Sequence, residues 1–303
     1  MRLFEAICEH DILLVKAHLQ QGGSPDLQDD MGSTLLHAAI REDSMDITGL
    51  LMEYGALVDS SDDFGNTPMH IAALFGNLQA AKLLAQWGVD IDRFTTRRSW
   101  TPLMVAINLG HLDMIDWFLT EGANVNHVGR EEGWTPLMLA ADKGMDGVTM
   151  ELIQRGANVH AHLSNGDEAG KAAIHLAAYQ GSVPIAEALV NQGGRPDNPP
   201  AGGGLTALHW AVYNEHNDLL DYFLGLNLNL NVRATGIYHG RVPLHYAISG
   251  KNLSAAEKLL RKGANPLVED VEGLTPLDIA QNASMRSSLE TYRIMIDLLE
   301  AYI

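Results

Sequence analysis

Thr34-Leu-Leu-His37, Thr67-Pro-Met-His70, Thr101-Pro-Leu-Met104 and Thr135-Pro-Leu-Met138 are four versions of one tetrapeptide. The second half of the chain continues them as Ala172-Ala-Ile-His175, Thr206-Ala-Leu-His209, Val242-Pro-Leu-His245 and Thr275-Pro-Leu-Asp278. Their first residues stand 33 to 37 positions apart, a period at which one supersecondary unit repeats along a stack. A threonine can cap a helix, and a proline one step in loses nothing, because that N–H is unpaired anyway. Each tetrapeptide therefore reads as a helix start. Twenty-one positions after the first residue of each tetrapeptide but the last stand Gly55, Gly88, Gly122, Gly156, Gly193, Asn227 and Gly263, with Gly22 in the same register ahead of the first. Each follows an apolar-periodic segment, so a left-handed residue is expected to close a second helix there, Asn227 included.

Period and signature together resemble the ankyrin-repeat family, over essentially the whole chain. The resemblance implies an all-α repeat solenoid of helix-turn-helix repeats joined by β-hairpin-like loops. It implies one domain over 1–303, with an N-terminal cap unit at 1–24, seven internal repeats at 25–269 and a C-terminal cap unit at 270–303. A single unit cannot bury its own apolar face, so stacking supplies the core. In the family the signature histidine hydrogen-bonds backbone between neighbouring repeats, which the resemblance implies for His37, His70, His175, His209 and His245.

Departures from the period fall in the connections 158–170 and 231–240, and such insertions map to loops, often on a binding face. The stretch 193–204 is rich in glycine and proline and reads as a softened hairpin or a hinge. The tail 289–303 carries Ile294, Ile296, Leu298, Leu299 and Tyr302 and reads as a cap or a contact surface.

With 38 acidic against 20 basic residues the formal net charge is −18. Phosphate binding needs clustered Lys and Arg, so neither nucleic acid nor an anionic membrane is an expected ligand. The start of the chain has no apolar stretch of signal-peptide length, and no window has the uninterrupted apolar run of a membrane span. The single cysteine, Cys8, allows no internal disulfide and is expected to pack within the first helix pair. A cytoplasmic location is expected. No phosphate-cradling loop or His-Glu-x-x-His pair is present, so neither catalysis nor a cofactor is expected. His160 and His162 have a chelating spacing but no third ligand in the sequence, and no metal is expected.

In this architecture the hairpin tips and the exposed side of each first helix form a concave face. In register it carries Asp30, Asp63, Phe64 and Phe75, then Arg97, Arg98, Trp100, Glu131 and Trp134, then Glu168, Tyr179, Tyr213 and Tyr238. Seven of these are aromatic, in a chain with five tryptophans, eight tyrosines and six phenylalanines, and large exposed aromatics commonly anchor interfaces. For Trp100 and Trp134 the competing reading is cover for the hairpin base. Between Asp26 and Asp63 stand ten acidic residues against the single basic Arg41, which solubility or the steering of a basic partner would explain. The tip Arg93-Phe-Thr-Thr-Arg-Arg98 breaks that pattern and reads as a salt-bridging or anion-contacting site. The expected function is non-enzymatic binding of a protein partner, basic in character, by a chain monomeric when unbound. An inhibitor such as an immunity or antitoxin protein is one form of this. An adaptor or secreted effector tethering a cellular target is the alternative.

Overall fold

A computed structural model describes residues 2–164, 169–200, 203–286 and 290–303. Its described residues form eighteen α-helices and no strand longer than an isolated bridge. The helices divide into two compact units, Met1–Leu139 and Ala140–Ile303.

In the first unit the inner helices are α1 (Arg2–Cys8), α3 (Leu35–Arg41), α5 (Pro68–Phe75) and α7 (Pro102–Leu109). Their outer partners are α2 (Ile12–Gln20), α4 (Met45–Glu53), α6 (Leu78–Gln86) and α8 (Leu112–Thr120). Helix α9 (Pro136–Asp142) spans the division. The second unit holds α10 (Asp146–Gln154), followed by inner α11 (Ala173–Gln180) and outer α12 (Val183–Asn191). Next come inner α13 (Ala207–Tyr213) with outer α14 (Asn217–Leu224), and inner α15 (Pro243–Ser249) with outer α16 (Leu253–Arg261). The unit ends with the pair α17 (Pro276–Arg286) and α18 (Glu290–Glu300). Within each unit inner helices pack on inner helices and outer on outer, as in a repeat solenoid.

Local chemistry explains the boundaries. The side chains of Thr34, Thr101 and Thr206 accept the N–H three residues on and cap their inner helices. Proline occupies the start of α5, α7 and α15. Outer helices are capped in the same way by Asp11, Asn77, Ser182 and Asn252. The closing glycines Gly22, Gly55, Gly88, Gly122, Gly156, Gly193 and Gly263 all have φ between 78° and 93°.

Asn227 departs from the expected rule, because it is not among the left-handed residues. There the chain leaves α14 through Gly225 in a right-handed cap, and Leu228 N–H donates to the Leu226 carbonyl, a tighter turn that needs no positive φ. A second left-handed series escaped the sequence reading. It sits between inner and outer helices at His10, Asp43, Gly76, Gly110, Gly144, Gly181, Glu215 and Lys251. Half of these are not glycine, which is why composition did not announce them.

The core is largely aliphatic, with Leu36, Ile40, Ile47, Leu51, Leu84, Leu103 and Phe118 fully buried in the first unit. Leu208, Leu219, Phe223, Leu244 and Leu259 play that part in the second. Cys8 does not pack between the first helices as expected; it is exposed, and Ala6 and Ile7 fill that space. In the tail, α18 buries Tyr292, Met295 and Leu299, so the capping face runs through those three. Of the other apolar tail residues, Ile294 and Tyr302 are exposed. Leu289 lies outside the described residues. The insertion at 231–240 folds into a single 3-10 turn, Gly236–Tyr238. Within 193–204, Arg195 and Asp197 form a two-pronged ion pair at 3.0 and 2.8 Å, and Asp197 also accepts from Asn229 N–H; Ala201 and Gly202 lie outside the described residues.

Candidate functional site

The five signature histidines are consumed by structure. His37 Nδ1 accepts from Thr34 N–H at 3.2 Å, and its Nε2 donates to the Asn66 carbonyl in the next repeat at 3.0 Å. The same bridge runs from His70 to Trp100, from His175 to Asn198, from His209 to Arg241 and from His245 to Leu274, at 3.0 or 3.1 Å. A backbone N–H can only donate and a carbonyl can only accept, so these partners admit only the neutral ring protonated at Nε2. Burial lowers all five pKa values, to about 4 for His70, His175 and His209. In the last pair Asp278 replaces the histidine, and its carboxylate accepts from both the N–H and the hydroxyl of Thr275. Among the described residues no three His, Cys, Asp or Glu side chains converge as metal ligands, His160 and His162 included.

The acidic run of the first hairpins has a local cause that neither sequence reading supplied. Asp29 Oδ1 accepts from Met31 and Ser33 N–H, and Asp62 Oδ1 accepts from Phe64 and Asn66 N–H, each at 2.8 or 2.9 Å. Asp26 Oδ1 reaches Leu57 N–H in the next unit at 2.8 Å. These carboxylates close turns and stitch repeats, as short polar side chains do wherever backbone N–H groups are left over. Asp30 and Asp63 are exposed at the tips. Asp63 N–H donates to the Met31 carbonyl, tying the two tips together.

Four predicted residues, Phe64, Arg97, Arg98 and Trp100, line one open cleft of about 340 Å³ between the second and third hairpin tips and the inner helices α5 and α7. Asn66, Leu74, Thr95, Val105, Asn108 and Leu109 complete it. Trp100 covers the hairpin base and also lines the cleft. It is half-buried, its N–H bonds Thr95 Oγ1, and its indole packs so close over Gly129 that a Cβ there would meet the ring at 3.2 Å. The same ring carries the Arg98 guanidinium 5.3 Å from its centroid. Glu131, on the next tip, lies 3.7 Å from Arg97 and 4.0 Å from Arg98, loose exposed pairs. Trp134 is half-buried and donates from Nε1 to Glu132 at 2.6 Å. Phe75 ends α5, exposed, and does not line the cleft.

In the second unit Tyr179 and Tyr213, both about half exposed, do not touch each other. Trp210 stands between them, with ring centroids 5.2 Å from Tyr179 and 5.9 Å from Tyr213, both edge-to-face. Tyr246 continues the row at 6.0 Å from Tyr213, and its hydroxyl points at the Tyr238 carbonyl. Burial raises the Tyr246 pKa to about 12. Lys171 Nζ sits 5.1 Å from the Trp210 ring centroid. The Trp210 Nε1 is buried without a hydrogen-bond partner. Glu168 lies outside the described residues.

Trp210 and Tyr246 were missed by sequence reasoning, although a signal existed. The position after the signature histidine reads Ala38, Ile71, Val105, Leu139 and Leu176, then Trp210 and Tyr246, then Ile279. Two successive repeats exchange an aliphatic residue for a large ring on the inner face.

Comparison with known proteins agrees with this architecture. Models of ankyrin repeats match residues 3–95, 93–162, 151–234 and 235–280. An ADP-ribosylation factor GTPase-activating protein, AGD4, of Arabidopsis thaliana is 36% identical over 94 residues, 31% of this chain and 12% of that protein. A putative ankyrin repeat protein of fowlpox virus is 33% identical over 132 residues, 41% of this chain and 38% of the relative. The chain thus matches less than half of either relative's length. The ankyrin repeat domain of human ASB11 superposes with a TM-score of 0.59 at 24% identity, over 70% of this chain and 91% of that one, a likeness of fold alone. With a histidine bridge joining successive repeats and repeat models matching from residue 3 to residue 280, the chain belongs to the ankyrin-repeat family.

Proposed function

We propose that this chain is a non-enzymatic binding module whose protein partner docks on the inner-helix face of the second unit, across Tyr179, Trp210, Tyr213 and Tyr246. Ankyrin repeats are general protein-interaction modules, and the observation that carries the assignment to this surface is the aromatic row itself. Packing the repeat needs only an aliphatic residue at the position of Trp210 and Tyr246, as the neighbouring repeats demonstrate. Rigid rings stand edge-on to one another, Tyr179 and Tyr213 about half exposed over the more buried Trp210 and Tyr246, and give large contact area for little lost side-chain entropy.

The partner is basic. Ring faces attract cations, Lys171 already occupies that position over Trp210, and the net charge of −18 favours encounter with a positive surface. Binding acts by occupancy, masking the basic surface as an inhibitor does, and it takes place in the cytoplasm. No helix of the described residues is long and apolar enough to cross a membrane. The test is affinity capture from the native host lysate at low and moderate salt, with wild type beside Tyr213→Ala, read by mass spectrometry. A stoichiometric basic protein that is retained by the wild type, weakens with salt and is lost from the variant supports the reading. Equal capture by both proteins places the site elsewhere.

A further inference from the structure

The cleft of the first unit has a chemistry opposite to that of the chain around it. Its apolar lining is Phe64, Leu74, Val105 and Leu109, with the Trp100 ring beside them. Its polar lining is amide, hydroxyl and guanidinium, with no carboxylate, in a chain that carries nearly two acids for every base. Arg97 and Arg98 stand at the rim with exposed side chains. Their common counter-ion, Glu131, is held at 3.7 and 4.0 Å in a solvated setting, where an exposed pair contributes little and a better-placed carboxylate can replace it.

We propose that this cleft is a second docking site, taking one large apolar side chain of an extended acidic peptide, with a flanking carboxylate seated on Arg97 and Arg98. Size and charge both select that occupant. A cavity of about 340 Å³ lies at the lower end of the ~300–1,000 Å³ range of small-ligand pockets, room for one aromatic or leucine side chain rather than a folded surface. The guanidinium of Arg98 over the Trp100 face can turn its N–H edge from the loosely held Glu131 to an incoming carboxylate while the ring covers the apolar group. Asn66 and Asn108 add side-chain amides to the lining, suited to the backbone of an extended strand, although Asn66 Nδ2 already donates one N–H to Asp62 Oδ2 at 2.9 Å. The site does not depend on the aromatic row, and its ligand carries the opposite charge. A chain with both sites would join a basic protein to an acidic peptide segment.

The test uses the full chain and three fluorescein-labelled pentapeptides: Asp-Asp-Trp-Asp-Asp, the same peptide with asparagine for aspartate, and the same with lysine for aspartate. Binding is read by anisotropy and competition. The acidic peptide is expected to saturate, to bind at least about tenfold tighter than the neutral one, and to weaken as salt rises. Arg97→Glu with Arg98→Glu, two exposed positions, should abolish binding while the circular dichroism and melting curve stay as in wild type. Leu109→Asp should weaken it through the apolar lining, and Tyr213→Ala should leave it unchanged. Equal binding of the lysine peptide, no saturation of the acidic peptide by about 1 mM, or an unaffected double arginine variant would overturn the proposal. Loss through Tyr213→Ala would do the same, by placing the peptide on the other surface.

Discussion

The Nε2 of His37 donates to the backbone carbonyl of Asn66, twenty-nine residues further on, at 3.0 Å. That one side chain ties the start of an inner helix to the base of the next hairpin, and four other histidines repeat the arrangement. The bridge works only for a neutral ring. A second proton, on Nδ1, would point at the backbone N–H of Thr34 and replace attraction by repulsion.

Stability therefore falls in acid, with a sign that can be worked out. The buried histidines have folded pKa values below the ordinary 6.5, so between those values the unfolded chain binds more protons. Their contribution is complete above about pH 6.5 and is lost as pH falls toward about 4. Each fully shifted histidine adds a slope of about 1.4 kcal/mol per pH unit in that window. Denaturant melts at pH 7.5, 6.0 and 5.0 check this. A midpoint that stays level from 7.5 to 5.0 would contradict the neutral-bridge assignment. Replacing His209 by methionine, the residue that Met104 and Met138 supply in other repeats, should flatten the slope.

The fold was legible because the features that build it are local and repeated. The tetrapeptide at the start of an inner helix and the glycine after the outer one are read from neighbours in sequence, and eight versions of the tetrapeptide reinforce one another. Asn227 failed because a tight turn can do without a left-handed residue, which the composition of one position does not reveal. The site was legible only in part. Tip residues such as Phe64 and Arg98 are placed by register alone, so four of them could be located at one cleft. Trp210 and Tyr246 lie within the helices, where a large residue ordinarily means core, and only their departure from their repeat-mates marks them as surface. The acid run was read for its long-range field, whereas Asp26, Asp29 and Asp62 are held by backbone N–H groups a few ångströms away.

Glu215 takes φ of 61° at the turn where Gly76, Gly110 and Gly181 stand in other repeats. A residue with a Cβ is strained there by about 1 kcal/mol or more. Glu215→Gly relieves that strain, against the extra chain entropy of glycine when unfolded. A net gain of up to about 1 kcal/mol is expected, visible as a raised melting temperature with unchanged partner affinity. A lower melting temperature would show that the glutamate side chain contributes more than the strain removes.

The two kinds of acidic residue at the first tips should separate on mutation. Asp62→Ala removes the acceptor for Phe64 and Asn66 N–H and should cost about 1–2 kcal/mol of stability, as loss of a cap does. Reversing the exposed Asp30 and Asp63 to lysine should leave the melt within about 0.5 kcal/mol. The reversal should instead slow association with a basic partner and flatten its salt dependence. Stopped-flow association at two ionic strengths, beside the melts, checks both halves. An association rate indifferent to charge and salt would leave these carboxylates with a structural role alone.

Tyr213 and Trp210 touch, yet they should answer differently to truncation. Tyr213 projects from the end of α13 with more than half its surface exposed, so Tyr213→Ala removes contact area for a partner and little packing. Its stability cost should stay near about 0.5 kcal/mol, while a hot-spot ring lost from an interface costs about 2 kcal/mol or more of binding. Trp210 supports Tyr179 and Tyr213 on either side and carries Lys171 on its face. Trp210→Ala should therefore lose both stability, by about 2–4 kcal/mol, and binding. Trp210→Leu restores the kind of aliphatic residue that every repeat but that of Tyr246 places there and relieves the buried, unpartnered Nε1. It should recover most of the stability and none of the binding. Melts and partner titrations of the three variants decide the matter: if Trp210→Leu binds as wild type does, the ring belongs to the packing of the repeat and not to the interface.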